Sequence, residues 1–283
     1  MTMIPGVNVL LEGATGTGKT YSIRTLVEAG ITPFVISTEP GITSTLGDIP
    51  PDKLHWHYIR PAAPQWEDII SNAKKINSMS FESLTKLKDI DKQKYGQFLD
   101  LVSSCANFVC DRDGKSYGSV DDWGTDRCLV VDSLSGVNIM AMDLVAGAKP
   151  VKAPGDWGVA MDNLERLINR WTCGTNCHFV LIAHMERERD EITGGIQLMT
   201  STLGQKLAPK IPRFFDDVIQ CKHEGADKFT WNTYGTMADL KARNLPMAEK
   251  LQPSFVPLIS HWKEKGGTIT PTTESVDSVS QTG

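Results

Sequence analysis

Gly13-Ala14-Thr15-Gly16-Thr17-Gly18-Lys19-Thr20 decides how the rest of the chain is interpreted. The stretch fits the pattern G-x-x-x-x-G-K-[ST] without a mismatch. A short apolar run, Val7 to Leu11, precedes it, and Tyr21 to Ala29 has a helical pattern that ends at Gly30. A strand, a glycine-rich loop and a helix in this order are the context in which the pattern binds phosphate. The sequence therefore predicts a nucleoside triphosphate site, the alternative being a chance glycine-rich turn.

The residue types of this loop follow from phosphate chemistry. Its glycines let the backbone curl so that successive N–H groups point at phosphate oxygens. Lys19 is expected to place its charge against the β- and γ-phosphates, and the Thr20 hydroxyl to ligate Mg²⁺. The predicted nucleotide-binding residues are Gly13, Ala14, Thr15, Gly16, Thr17, Gly18, Lys19, Thr20 and Tyr21.

Three further apolar strands are each followed by a polar side chain: Glu39, Asp132 and His184. In an open parallel sheet, ligands bind outside the carboxyl ends of the strands. Glu39 is either a water-activating carboxylate or a surface residue that starts a turn. Asp132 is expected to hold the outer water shell of Mg²⁺ beside Thr20. His184 either senses the γ-phosphate or caps its strand. The strands are Pro33 to Ser37, Cys128 to Val131 and His178 to Ala183.

Length and composition indicate one large α/β domain. The chain has 283 residues, of which 40% are hydrophobic and 22% charged, with a net charge of −5. It contains no apolar stretch of eighteen residues, and its first residues lack the features of a secretory signal. We expect a soluble cytoplasmic protein without membrane contact. The acidic balance argues against a broadly basic surface but permits a confined basic strip.

We expect a mostly parallel central sheet with helices on both faces and antiparallel edge strands near the C-terminus. The domain is predicted to span residues 1–265, with a helical insertion at about 61–127 and a disordered tail at 266–283. Ala148 to Trp157 is predicted to be a mobile loop. Phe229 to Thr233 and Met237 to Ala242 are predicted to pair as the antiparallel edge strands.

The cysteines give a weak indication of metal binding. Six are present, without a C-x-x-C pair. Cys173, Cys177 and His178 form the one cluster weighed for zinc, but no second ligand pair matches them. Burial and a turn are the preferred interpretation.

Two other segments contain side chains of types that bind metals. His55 and His57 lie on one face of the predicted strand Lys53 to Ile59, and we interpret them as packing or surface residues. Asp111 to Lys115 contains Asp-x-Asp-Gly, but it lacks the remaining ligands of a calcium loop. A hairpin turn is the better interpretation of that segment.

The order of these elements resembles the RecA-like ATPases and, within them, phage-encoded AAA-domain proteins grouped with Sak-type single-strand annealing recombinases. The resemblance runs from about Val7 to Leu258 and implies a RecA-like phosphate-loop core that uses ATP and Mg²⁺. The motifs that carry it are GATGTGKT at Gly13 to Thr20, ISTEPG at Ile36 to Gly41, CLVVDSLSG at Cys128 to Gly136, FVLIAH at Phe179 to His184 and LKARN at Leu240 to Asn244.

The resemblance also implies roles for particular residues. Glu39 matches the glutamate that activates water, and His184 matches a polar γ-phosphate sensor. Lys241 and Arg243 match a Lys-x-Arg pair that DnaB- and KaiC-like relatives insert into a neighbouring subunit's nucleotide site. The alternative for this pair is a basic edge strand that resists aggregation. A finger that acts in trans requires self-association into a ring or filament.

In such proteins the loops after the Asp132-like and His184-like strands hold single-stranded DNA. Here these loops are residues 147–157 and 185–203. Glu186 and its acidic neighbours alternate with the arginines and weaken the local positive field. The candidate DNA-contacting residues are Lys149, Lys152, Arg187 and Arg189.

The resemblance implies an ATP-hydrolysing, DNA-stimulated recombination or annealing protein that acts on single-stranded DNA as an oligomer. It also allows a single-strand binding protein as a partner, and the host cytoplasm as location if the protein is phage-encoded. Two alternatives stay open: a ring helicase or translocase, and a nucleotide-gated interaction module that does not hydrolyse ATP.

Overall fold

The computed structural model describes residues 4–60, 66–86, 96–147, 149, 151–189, 194–204 and 206–272. Within them, a seven-stranded sheet has the order β3-β2-β4-β5-β1-β8-β9, and β6 and β7 form a separate antiparallel hairpin. In the large sheet only β9 is antiparallel to its neighbour. The strands are β1 Asn8–Glu12, β2 Thr32–Ser37, β3 His55–Tyr58, β4 Arg127–Asp132, β5 His178–Ala183, β6 Met185–Arg189, β7 Ile196–Thr200, β8 Asp217–His223 and β9 Phe229–Asn232.

Helices cover both faces of this sheet. The central strands are apolar along nearly their whole length because both of their faces are buried. Successive side chains alternate between two cores: Leu10 and Val131 lie in one, and Val9 and Val130 lie in the other. The α-helices are α1 Lys19–Ser22, α2 Arg24–Glu28, α3 Ile42–Leu46, α4 Trp66–Asn77, α5 Phe81–Thr85, α6 Gln97–Ala106, α7 Leu134–Ala146, α8 Pro154–Cys173 and α9 Val256–Glu264.

The two cores use different helices. Helices α6, α7 and α8 pack on the face that contains Leu10, through residues such as Leu101, Val137 and Leu164. Helices α2, α3 and α9 pack on the opposite face, where Leu26 is buried. The expected α/β fold, with a mostly parallel sheet between helical layers, is therefore confirmed. No helix in the described ranges is both long and apolar enough to cross a bilayer.

The segment between β3 and β4 contains α4, α5 and α6, followed by a short β-bridge between Val109 and Ser116. Residues 61–65 and 87–95 of the predicted helical insertion lie outside the described residues. The bridge holds the chain beside β3, because the Asp111 N–H donates to the Trp56 carbonyl at 2.8 Å. The insertion therefore ends by covering the edge of the sheet.

Three expectations about the second half of the chain were wrong. Met237 to Ala242 does not form a regular strand with β9: Lys241 instead bridges β8 at Val218. The predicted loop 148–157 ends early, because Pro154 occupies the first turn of α8, where proline needs no N–H partner. Residues 266–272 are not disordered, since Thr125 makes hydrogen bonds with backbone groups of Thr268 and Thr270. Residues 273–283 lie outside the described part.

Candidate active site

The parallel strands bring Glu39, Asp132 and His184 to one end of the sheet, where the strands have their carboxyl ends. The register pairs Ser37 with Asp132 and Asp132 with Ile182, so the segments that follow β2, β4 and β5 are neighbours. The phosphate loop follows the carboxyl end of β1 at the same end of the sheet. Glu39, Asp132 and His184 are distant in sequence, yet they lie together at the carboxyl ends of the strands.

The phosphate loop depends on two of its glycines for different reasons. Gly18 caps α1 with a φ of 80°, a left-handed conformation that side chains disfavour. A Cβ at Gly13 would lie 2.5 Å from the carbonyl oxygen of Cys221 in β8. The loop therefore fits tightly between α1 and β8, with its backbone curled as phosphate binding requires.

Lys19 lies inside this loop and is only 6% exposed. Its ammonium donates to the carbonyl oxygens of Gly13 and Ala14 at 2.9 and 2.8 Å. Burial lowers the pKa of Lys19, and the nearby carboxyls of Asp132 and Glu39 act in the opposite direction. The geometry places a cation where the loop would hold phosphate oxygens.

Thr20 and Asp132 form a pair of oxygen ligands that fits Mg²⁺. The Thr20 hydroxyl donates to Asp132 Oδ2 at 2.7 Å. Burial raises the pKa of Asp132 to about 6, and the Thr20 hydrogen bond acts against the rise. A hydroxyl and a carboxylate beside bound phosphates are what a magnesium ion of a nucleotide site requires.

Glu39 lies between Ser133 and His184 at this end of the sheet. Its Oε1 accepts a short hydrogen bond from the Ser133 hydroxyl and lies 3.6 Å from His184 Nε2. The Glu39 side chain is 41% exposed and that of His184 is 26% exposed. The carboxylate is therefore fixed by a donor on one side while it remains open to water.

Ser133 and Thr38 are site residues that the sequence analysis missed. The Thr38 Oγ1 both donates to the Ser133 carbonyl and accepts from its N–H, at 3.0 and 2.9 Å. These contacts join the ends of β2 and β4 and thereby place the Ser133 hydroxyl against Glu39. The available signal was a hydroxyl residue beside each strand-end acid, Thr38-Glu39 and Asp132-Ser133.

Glu12 was also missed, although a carboxylate at the end of an apolar strand was a visible signal. It is 2% exposed and accepts a 2.8 Å hydrogen bond from Thr200 at the end of β7. Burial raises its pKa to about 7. Glu12 immediately precedes the phosphate loop, and its hydrogen bond with Thr200 therefore connects the start of this loop to the β6–β7 hairpin.

Glu12→Gln is expected to stabilise the protein above pH 7 and to leave stability near pH 4 unchanged. The folded-state pKa of Glu12 lies above its unfolded value, so the wild type loses stability as pH rises from about 4.5 to 7. The shift corresponds to about 3 kcal/mol at most. Urea unfolding of both proteins at pH 4 and 8 measures the difference. An exposed control, Glu28→Gln, should show no pH-dependent gain; an equal gain there would contradict the assignment.

Tyr21, the last of the predicted nucleotide-binding residues, has an outward-facing side chain. Its ring is 57% exposed, and the Arg24 guanidinium lies 3.8 Å from the ring centroid. The side chain therefore lies on the outer face of α1 rather than inside the loop.

Lys241 and Arg243 lie at the amino ends of the strands, whereas the phosphate loop lies at the carboxyl ends. Lys241 Nζ donates to the Phe215 carbonyl at 2.5 Å, and Arg243 pairs with Asp216 at 2.9 Å. Both partners immediately precede β8, whereas the loop follows β1 at the far end, roughly 13 Å along the parallel strands. The pair therefore does not reach the nucleotide site of its own chain.

The candidate lysines after α7 are held by acidic residues. Lys149 forms a 2.8 Å ion pair with Asp156 at the start of α8, and its side chain is 20% exposed. Asp156 also accepts from the Ala153 N–H at 2.7 Å. The charge of Lys152 acts on the half-buried Asp143. The positive charge of this segment is therefore partly neutralised within the fold.

The β6–β7 hairpin separates charges that alternate in the sequence. Arg187 and Arg189 point to one face of β6, and Glu186 and Glu188 point to the other. The partner residues opposite the two arginines are Leu198 and Ile196, so the arginine face also carries apolar side chains. Strand geometry thus separates Arg187 and Arg189 from Glu186 and Glu188, while the acidic residues Asp190 and Glu191 lie outside the described residues.

The cysteine cluster weighed for zinc is not assembled. Cys173 is exposed, whereas Cys177 is buried in the core. His178 Nδ1 accepts a 3.0 Å hydrogen bond from the Val7 N–H, so this nitrogen serves the fold. Burial and a turn account for these residues, as the sequence analysis favoured.

A comparison with protein-family models relates this site to a known group. The model described as "AAA domain" matches residues 6–248, a region that contains the phosphate loop, Glu39, Asp132 and His184. No curated protein matches the sequence. Since the match covers most of the chain and its whole candidate site, the protein belongs to the AAA-domain family of nucleotide-binding ATPases.

Proposed function

We propose that the protein hydrolyses ATP at this site, with Glu39 as the residue that orients and deprotonates the attacking water. The observation that carries the proposal is the position of the Glu39 carboxylate, which is held by Ser133, adjoins His184 and is partly exposed. A carboxylate that is fixed yet solvent-accessible suits a general base. His184 follows β5, the strand that pairs with β1, and is suited to donate a hydrogen bond to the γ-phosphate.

Thr20 and Asp132 would hold Mg²⁺, which when bound neutralises charge on the β- and γ-phosphates. Lys19 supplies a second cation from inside the loop. These groups stabilise the charge of the transferred phosphoryl group, while Glu39 removes a proton from the water on its other side. These groups come from the carboxyl ends of four strands, β1, β2, β4 and β5. The proposed chemistry therefore depends on the order of these strands in the sheet.

The proposal extends to Lys241 and Arg243 acting in a neighbouring subunit. Their distance from the nucleotide site of the same chain supports a role in trans. The Arg243 side chain is 61% exposed, and its ion pair with Asp216 is of a kind that contributes little to stability. Arg243 is therefore free to exchange Asp216 for a phosphate of the next subunit, in a ring or filament.

We further propose that the active form binds single-stranded DNA and performs recombination or annealing. The arginine face of the hairpin supports this assignment, because Arg187 and Arg189 lie beside the apolar Ile196, which is 53% exposed. Guanidinium groups beside an apolar surface suit a backbone of phosphates that also carries bases.

The hairpin is attached directly to the nucleotide site. The Ser201 N–H donates to the His184 carbonyl at 2.8 Å, and Thr200 donates to Glu12. Binding of DNA on the hairpin would therefore act on the γ-phosphate sensor and on the residue before the phosphate loop. This connection is the physical basis for DNA-stimulated turnover.

Replacement of Arg187 and Arg189 by glutamine is expected to weaken single-stranded DNA binding and to remove DNA stimulation of ATPase activity. Loss of two phosphate contacts should lower the slope of log affinity against log salt by about 1.4. Binding and turnover are measured across a salt series. The matched control replaces Glu186 and Glu188, on the reverse face, and should not weaken binding. Unchanged affinity and slope in the arginine variant would overturn the DNA assignment.

A further inference from the structure

Three side chains of metal-binding type meet at the far edge of the sheet, outside the candidate active site. They are His55 at the start of β3, and Cys110 and Asp113 in the turn that follows α6. One donor atom from each lies within 4.8 Å of the others, and His55 Nδ1 is 3.9 Å from Asp113 Oδ2. Strands β2, β4 and β5 separate this cluster from β1.

His55 provides an independent indication that a ligand belongs here. The residue is 4% exposed, and its buried Nδ1 has no hydrogen-bond partner among the described residues. The imidazole is held in place, because it stacks on Phe34 with ring centroids 4.6 Å apart and contacts the Tyr117 ring at 4.3 Å. A fixed and unsatisfied nitrogen therefore points at a carboxylate and a thiol.

The turn presents the other two ligands in a preformed arrangement. Cys110 is completely buried, and its sulfur accepts a 3.4 Å hydrogen bond from the Arg112 N–H. The Gly114 N–H closes the turn on the Cys110 carbonyl at 2.9 Å, with Gly114 at a φ of 69°. Asp113 is oriented by the Tyr117 hydroxyl, which donates to Oδ2 at 2.7 Å. Such outer contacts hold ligating side chains in position.

We propose that His55 Nδ1, Cys110 Sγ and Asp113 Oδ2 bind a zinc ion, with water in the fourth position. A thiolate and an imidazole select zinc over hard cations such as Mg²⁺. Bond lengths of about 2.0 to 2.3 Å place tetrahedral ligands about 3.3 to 3.6 Å apart, so donor atoms that now lie within 4.8 Å must approach by about 1 Å. Binding releases the Cys110 thiol proton to solvent, and the thiolate and carboxylate together neutralise the dication.

The two cationic side chains nearest to the cluster are engaged elsewhere. Arg112 donates to the carbonyl oxygens of Ile49 and Leu54, and Arg127 donates to the Tyr117 carbonyl. Because His55 lies in β3 and the other two ligands follow α6, the bound ion would link the segment after α6 to the edge strand β3. This role is structural and independent of the proposed ATPase chemistry.

The test uses the full-length, reduced protein after treatment with a chelator. Titration with Co²⁺ is expected to give one equivalent of tetrahedral visible bands and a near-ultraviolet thiolate-to-cobalt band, both displaced by zinc. Cys110→Ser should remove the thiolate band, and His55→Gln and Asp113→Asn should weaken binding at least about tenfold. Zinc should raise the melting temperature of the wild type but not of Cys110→Ser.

Two matched controls lie beside the cluster, and a third is a thiol at the end of α8. His57 and Asp111 form their own 2.9 Å pair, and Cys173 is an exposed thiol. His57→Gln, Asp111→Asn and Cys173→Ser should leave cobalt binding unchanged. A folded wild type without a tetrahedral cobalt spectrum would overturn the proposal even if a variant fails to fold. A thiolate band that survives in Cys110→Ser, or disappears in Cys173→Ser, would overturn it equally.

Discussion

Glu39→Gln is expected to bind ATP with near wild-type affinity and to hydrolyse it about 100- to 10,000-fold more slowly, the range for loss of a general base. The amide keeps the size of the side chain and can still accept a hydrogen bond from the Ser133 hydroxyl, so the arrangement of the site should remain intact. It cannot take a proton from water. Steady-state phosphate release and equilibrium binding of a fluorescent ATP analogue measure the two effects separately.

Three companion variants define what this result means. Lys19→Ala should lose both binding and hydrolysis, because it removes the cation that the proposed mechanism places against the phosphates. Ser133→Ala should reduce turnover less than Glu39→Gln, since it removes only the donor that positions the carboxylate. Glu28→Gln, an exposed residue at the end of α2, should behave as wild type. Wild-type turnover in Glu39→Gln would reject Glu39 as the base, and absence of turnover in the wild type would favour a nucleotide-gated interaction module.

Arg243→Ala is expected to bind ATP normally and to lose about 10³- to 10⁵-fold in turnover, as is typical for loss of an arginine finger. The fold should survive, because the side chain makes an exposed ion pair while its backbone N–H continues to bond Asp217. Phosphate release at several protein concentrations measures the loss, which higher concentration should not restore.

Mixing experiments distinguish a finger in trans from one in cis. Lys19→Ala retains Arg243, and Arg243→Ala retains an intact nucleotide site. A mixture should therefore recover activity that neither variant has alone. Arg213→Ala is the matched control, because the Arg213 side chain is 63% exposed and also lies beside an acid, Glu165. Absence of recovery, or full activity of a dilute monomer, would contradict the intersubunit assignment.

Local patterns predicted a large part of the fold. The apolar runs at β1, β4 and β5 are strands buried on both faces, and such strands are recognisable from sequence because their consecutive interior positions are apolar. Positions 148–157 and 237–242 were predicted wrongly for different reasons. The first segment was predicted to be a loop to Trp157, although Pro154 begins α8, whereas the structure around Lys241 depends on a distant partner, Val218 in β8.

The sequence by itself determined the phosphate loop, since its residues are contiguous and their conformations are set by glycine and by the following helix. It also indicated Glu39, Asp132 and His184, because parallel strands bring their carboxyl ends together. Only the tertiary structure decided which groups touch them: Ser133 against Glu39, and Thr200 against Glu12. It alone placed His55 beside Cys110 and Asp113. These contacts join residues 55 or more positions apart, and such separations are set by the order of strands in the sheet rather than by any local pattern.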